Sequence, residues 1–186
     1  MITLLSSSIK DPTETHYDGE DTGEKILYLF RRSFITNLRW IFSTGIMLLI
    51  PFVASLFYES AINNQAQTIS PQFAGTIVIL WYLVTFGFAF HSFLMWYFNV
   101  YIISDKKIVD IDFRGFLYKN ISEAPIKNIE DVTSNVSGLF GTTFNFGYVD
   151  IQTSAEKREF EFENVSNPSK IRDLIADLVE EVKNGN

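Results

Sequence analysis

WIFSTGIMLLIPFVASLFY, Trp40 to Tyr58, and FAGTIVILWYLVTFGFAFHSFLMWYF, Phe73 to Phe98, contain no Asp, Glu, Lys or Arg. At about 1.5 Å of rise per residue, a helix over either run covers the roughly 30 Å of hydrocarbon in a bilayer. The first is just long enough, and the second has length to spare for tilt. They predict a membrane-spanning helical hairpin over 40–98, with spans 40–58 and 73–98 and an external loop 59–72.

Charge on either side of the pair sets its expected direction. Residues 25–39 carry Lys25, Arg31, Arg32 and Arg39 and no acid, and Lys106, Lys107 and Arg114 follow the second run. Loop 59–72 has no Lys or Arg. The positive-inside bias therefore predicts a multi-pass protein of the inner membrane with both termini cytoplasmic. A cleaved signal peptide is disfavoured, because no basic region precedes the short apolar stretch Ile2–Leu5.

The segments before the hairpin read differently. Residues 1–24 hold one lysine against six carboxylates, and residues 1–23 are expected to form a disordered acidic tail. Residues 24–39, EKILYLFRRSFITNLR, place Ile26, Leu27, Leu29, Phe30, Phe34, Ile35 and Leu38 among cations. That pattern predicts a juxtamembrane interfacial helix whose cations reach lipid phosphates.

The bulk numbers agree with a greasy segment joined to a polar one. Of 186 residues 47% are hydrophobic, yet mean hydropathy is only +0.11. Cysteine is absent, which removes disulfides and thiol chemistry from consideration. A net charge of −7 excludes a phosphate-binding stripe, so no nucleic-acid partner is expected.

Inside the hairpin three residues stand out. Pro51 cannot donate to the carbonyl of Met47, which predicts a bend and a carbonyl covered by the partner helix. Gly87 and His91 share one helix face, so Gly87 is expected to admit close helix contact. His91 is the one residue in either span that can carry a charge near neutral pH. A neutral imidazole hydrogen-bonded to Ser43 or Thr44 is the plainer reading, and a proton relay the functional one.

From Asn99 the pattern turns to strands. Lys107, Val109, Ile111 and Phe113 alternate with Ile108, Asp110 and Asp112. Extended segments are expected over 99–103, 107–113, 116–121, 126–136 and 148–153. Phe160 and Phe162 then face in, with Glu159, Glu161 and Glu163 outward. A final helix starts at Asn167 as N-cap and Pro168, with Ile171, Leu174, Ile175, Leu178, Val179 and Val182 in one stripe. The expected fold class is α+β: the hairpin, then an antiparallel β-barrel or sandwich over 99–186 capped by a C-terminal α-helix.

Several stretches carry a resemblance. Tyr101-Ile102-Ile103-Ser104-Asp105-Lys106-Lys107-Ile108, Ala124-Pro125-Ile126 through Val132, Leu139-Phe140-Gly141, Gly147-Tyr148-Val149-Asp150-Ile151 and Asn164 through Pro168 follow one another in order. The series resembles the membrane-anchored bacterial pleckstrin-homology (PH) domain family. The resemblance implies a PH-like barrel whose loops contact phospholipid headgroups, peptides or one another, and it implies no catalysis.

Candidate sites follow from both readings. Lys106, Lys107, Arg114, Arg31, Arg32 and Arg39 are possible headgroup contacts. Leu139, Phe140, Phe144 and Phe146, in a loop with three glycines, are expected mainly to pack under the barrel, with any exposed members forming an interaction loop. No metal, cofactor or catalytic set is expected, since His16 and His91 cannot pair and no serine elbow occurs. The function expected is a non-enzymatic scaffold at the cytoplasmic face, acting on membrane lipids, on a membrane protein or on a second copy of itself. The alternatives are a headgroup sensor and a small transporter or ion-pathway subunit built on His91.

Overall fold

The computed structural model describes residues 7–12, 16–62, 70–115, 118–154 and 159–185. Its chain divides into two compact units, Asn37–Leu94 and Met1–Thr36 with Met95–Asn186.

The unit Asn37–Leu94 is made of α1 (Leu38–Ile62) and most of α2 (Pro71–Phe98). By length and composition both helices could cross a membrane. Their apolar windows are 0% and 6% buried, and large side chains such as Phe42, Phe57 and Phe86 are mostly uncovered by protein. Polar groups are handled within the pair. The hydroxyls of Ser43, Thr44, Ser55, Thr76 and Thr85 donate to carbonyls three or four residues earlier in their own helices. The carbonyl that Pro51 leaves without a donor, that of Met47, accepts from Trp81 Nε1 at 2.8 Å. Cover for that carbonyl from the partner helix is as expected, with an indole as the covering group.

One other expectation for the pair is corrected. Gly87 faces open space, with nothing within 4 Å of where a Cβ would stand, so it is not a point of close approach. His91 is half-buried.

The other unit is rich in strands. β1 (Ser8–Lys10), β2 (Ile26–Arg31), β3 (Val100–Ser104), β4 (Lys107–Arg114) and β5 (Tyr118–Pro125) form a five-stranded sheet in that order. β6 (Ile129–Asn135), β7 (Phe146–Thr153) and β8 (Glu159–Ser166) form a three-stranded sheet, and every pairing is antiparallel. A short helix α3 (Gly138–Phe144) joins β6 to β7, and α4 (Pro168–Asn184) follows β8. The barrel is not closed. Pro125 and the 3-10 turn Ile126–Asn128 part β6 from β5, and a single bridge, Arg32 to Val165, links the sheets elsewhere.

Between the sheets lies the main core: Phe30, Tyr101, Ile103, Ile108, Val149, Ile151, Phe160, Phe162, Ile171 and Ile175 among others. The expected stripe of α4 supplies its share through Ile171 and Ile175, with Leu174, Leu178 and Val179 packed beside them. A second cluster, Ile26, Leu29, Ile102, Val109 and Ile111, occupies the opposite face of the five-stranded sheet, where Ile9 and Tyr17 join it. β4 therefore supplies both clusters, Val109 and Ile111 to the second and Ile108 to the main core.

The N-terminal expectations fail in an informative way. Residues 26–31 are strand rather than interfacial helix, because β2 finds a partner in β3, with Arg31 opposite Val100. Within 24–39 only the turn Phe34–Asn37 and the start of α1 are helical. The supposed disordered tail contributes β1 and packs Tyr17 into the second cluster; residues 1–6 and 13–15 lie outside the described residues. Asn167 does stand at the start of α4, but it makes no side-chain cap. Its Oδ1 accepts from Asn145 Nδ2 instead, and both asparagines are left-handed, a conformation this side chain tolerates. Gly147 begins β7 where a Cβ would collide with the Asn135 carbonyl, so only glycine fits.

Candidate functional site

Covalent connection distinguishes two ends of the strand-rich unit. Val100 follows α2 after one residue and pairs with Arg31, while Ser33 N–H donates to the Asn164 carbonyl as the chain leaves for α1. These residues mark the exit end. Ser104, four residues along β3, pairs with Ile26; at 3.3 Å per residue it is about 13 Å away. The β3–β4 turn beside it marks the far end.

At the far end Ser104 builds the turn. Its hydroxyl accepts from the amides of Lys106 and Lys107 and donates to the Lys107 carbonyl. Lys107 is thereby turned inward, with its side chain 9% exposed. Its ammonium donates to the Gly19 carbonyl at 2.7 Å and to Glu123 at 2.8 Å, and it lies 3.5 Å from Asp21 and 3.7 Å from Glu24. The Glu24 side chain is wholly buried and accepts from the Tyr17 hydroxyl and the Asp21 amide. Lys106 donates to the Thr22 carbonyl, and Lys25 and Asp105 exchange two bonds. Residues 17–25 are thus strapped across the second apolar cluster.

The charges in this cluster hold one another. Desolvation opposes the Lys107 ammonium, but hydrogen bonds to Glu123 and Tyr17 and the field of Glu24 outweigh it and raise its pKa. Desolvation likewise opposes the Glu24 carboxylate, yet the Ser104 hydroxyl, the Asp21 amide, the Tyr17 phenol and Lys107 bring its pKa below the ordinary carboxyl value. Burial first, and Glu24 second, push the Tyr17 phenol well up.

The exit end pairs cations with aromatic rings. Arg31 lies 4.7 Å from the centre of the Tyr97 ring. Arg32 donates to Glu163 at 2.8 Å, and its carbonyl accepts from Trp96 Nε1. Tyr101 stacks on Phe162, accepts from the Glu163 amide, and is pushed up to about 12 by burial despite Arg32.

α3 belongs to this end. Phe146, two residues past α3, pairs with Ser166, and the adjoining Val165 bridges Arg32. The helix rests on β7 through Gly141, which is buried and where a Cβ would come within 3.1 Å of the Phe146 carbonyl. Contact through a glycine sends the bulky residues the other way. Leu139 is 87%, Phe140 73% and Phe144 47% exposed, and the two phenylalanine rings stack on each other. Tyr118, where β5 begins beside the end of β4, is 74% exposed at the same end.

The candidate residues of the sequence therefore scatter. Lys106 and Lys107 are at the far end, and Lys107 is consumed inside the fold. Arg31 and Arg32 are at the exit end, Arg39 is exposed on α1, and the Arg114 side chain lies outside the described residues. Leu139, Phe140 and Phe144 are exposed rather than packed under the sheets, while Phe146 is half-buried. Tyr17, Glu24, Glu123 and Trp81 were not singled out. The period-two run Tyr28, Phe30 against Leu29, Arg31 was the available signal for β2, and hence for what precedes it. Among the described residues no group of three His, Asp or Glu is placed to hold a metal ion. Three openings in this unit are shallow; one of about 340 Å³ lies between β1, β2 and the start of α4.

The family model described as "Bacterial PH domain" matches residues 46–179, from within α1 to within α4. Among solved structures, the chain is similar to a DUF1696 family protein with a pleckstrin-homology domain from Shewanella loihica PV-4. The two share 19% identity over 44% of this chain and 70% of that one, with a TM-score of 0.35. No curated protein matches.

Proposed function

Since the chain belongs to the bacterial PH domain family, a family generally without catalysis, we propose that it is a non-enzymatic interaction module held at a membrane. The hairpin of α1 and α2 spans the bilayer, and the strand-rich unit lies on the cytoplasmic side with both termini. One observation carries this reading: two helices of 25 and 28 residues whose apolar surface is almost wholly uncovered by protein. In water such surface is costly, whereas hydrocarbon accepts it provided the backbone is satisfied. The bond from Trp81 to the Met47 carbonyl supplies that satisfaction at the one proline.

The partner is a second protein or a second copy meeting the PH-like unit at the membrane face. A headgroup sensor is the weaker alternative, because its candidate cations are divided between the two ends of the unit, and Lys107 and Arg32 are already paired with Glu123 and Glu163. A transporter built on His91 would need further charged partners in the helices, and the spans hold no Asp, Glu, Lys or Arg. The orientation is tested by fusing reporters after Asn186 and within 59–72, and the first should be active only in the cytoplasm and the second only outside. Crosslinking between two differently tagged copies in native membranes tests self-association; a crosslink only to another protein leaves the scaffold reading and removes the homo-oligomer.

A further inference from the structure

We propose that α3 is a membrane wedge: Leu139, Phe140 and Phe144 insert into the interface of the same bilayer that holds the hairpin, with Tyr118, at the same end of the unit, at headgroup depth. This rests on the hairpin spanning a membrane. Three observations lead to it. The apolar residues of α3 are turned outward by the fold itself, since Gly141 makes the contact with β7. They form one group, with Phe140 stacked on Phe144. They stand at the exit end, where one residue separates β3 from α2 and the β8 bridge lies at Arg32.

A lipid surface suits this end better than a protein groove. Any bilayer that holds α1 and α2 reaches the chain within a few residues of Arg32 and of Val100. Aromatic and aliphatic side chains presented there meet the boundary of headgroups and acyl chains, the depth that Tyr and Phe favour on interfacial elements. The hydroxyls of Thr142 and Thr143 donate to carbonyls within α3, so neither enters the interface unpaired. Arg31, over the Tyr97 ring at the same end, adds attraction to anionic lipid.

The chain has no cysteine, so single cysteines can be labelled in the full-length protein. Leu139→Cys, Phe140→Cys, Asp177→Cys on the exposed side of α4 and Leu83→Cys in α2 are each labelled with an environment-sensitive fluorophore. The proteins are reconstituted in vesicles of phosphatidylcholine with a minority of phosphatidylglycerol. Quenching is read with spin-labelled lipids, shallow and deep, and with aqueous iodide. The wedge predicts that positions 139 and 140 lose most of their emission to the shallow lipid quencher and are shielded from iodide, while 177 behaves oppositely. Iodide access at 139 and 140, with deep-lipid quenching at 83, overturns the wedge and leaves the hairpin standing. Iodide access at 83 as well overturns the hairpin itself. Shielding at 139 and 140 without lipid quenching, lost on dilution into excess vesicles, assigns the patch to a second copy and also overturns the wedge.

Discussion

The strand-rich unit and the helix pair solve one problem in opposite ways. Each must keep polar groups from being dry and unpartnered. In the strand-rich unit the far end gathers full charges, and Lys107 is stabilised by Glu24, Glu123 and Asp21 drawn from two places in the chain. In the helix pair no charge occurs across the apolar spans, and hydroxyls bond within their own helix. The exceptions are the carbonyl freed by Pro51, met by a neutral indole, and the next carbonyl, that of Leu48, which accepts from the Tyr82 hydroxyl at 3.5 Å. The difference teaches that one unit depends on electrostatic pairing, and so on pH, while the other depends on neutral hydrogen bonds and on its surroundings.

Removing the cation breaks this contrast most sharply. Lys107→Met should cost about 3–5 kcal/mol, because it strands the buried Glu24 carboxylate without its charge partner. Denaturant unfolding of the detergent-solubilised protein, followed by the near-ultraviolet signal of the strand-rich unit, measures it. The double variant Lys107→Met, Glu24→Gln should recover much of that loss if the stranded charge is its cause. A cost that stays unchanged in the double variant would reassign Lys107 to packing.

In the helix pair the matching experiment is Trp81→Phe. It keeps an apolar ring but leaves the Met47 carbonyl with no donor, at a cost of about 1–3 kcal/mol. Adding Pro51→Ala restores an amide that can donate to Met47, and should return most of the loss. Helix content during titration with a denaturing detergent reads both variants. An additive double variant would sever the proline from the indole.

That pairing was legible in the sequence, whereas the far end was not. Pro51 states which carbonyl lacks a donor four residues earlier, so the need is local even though the answer is 34 residues away. Both apolar helices and the alternating runs after residue 99 are local patterns as well. Lys107 gives no such notice, since its partners Glu24 and Glu123 are ordinary surface residues until the fold brings them together. β2 was lost for a related reason. Residues 26–31 suit a helix face as well as a strand, and their partner β3 lies some 70 residues on. α3 was misjudged because a bulky loop residue is usually buried, and only the contact of Gly141 with β7 shows which way the others point.

Acid should separate the two units without any mutation. Glu24 has a folded pKa below its ordinary 4.5. It therefore contributes stability that is present above pH 4.5 and lost as pH falls through the depressed value. Hydrogen exchange of the full-length protein should show residues 17–25 losing protection in that window, while peptides from 73–94, which hold no carboxylate, keep theirs. On the alkaline side the raised values of Tyr17 and Lys107 act in the other direction. Their contribution is complete below about pH 10 and is lost above it as each deprotonates. Equal loss in both units at low pH would mean that Glu24 is not what distinguishes them.

The smallest expected effect makes the finest comparison, between neighbours. Lys106 and Lys107 are identical in sequence terms and stand in one turn, but only Lys107 points into the carboxylate cluster. The Lys106 side chain is exposed and donates to the Thr22 carbonyl at 3.3 Å. Lys106→Met should therefore shift the unfolding midpoint by no more than about 0.5 kcal/mol, the usual range for a surface position. The main change should be faster exchange of the amides near Thr22, where the strap loses its outer tie. If Lys106→Met instead matched Lys107→Met, the stability of the far end would come from the net positive charge of the turn. The burial of one ammonium among named partners would then explain nothing, and the contrast with the uncharged helix pair would reduce to charge alone.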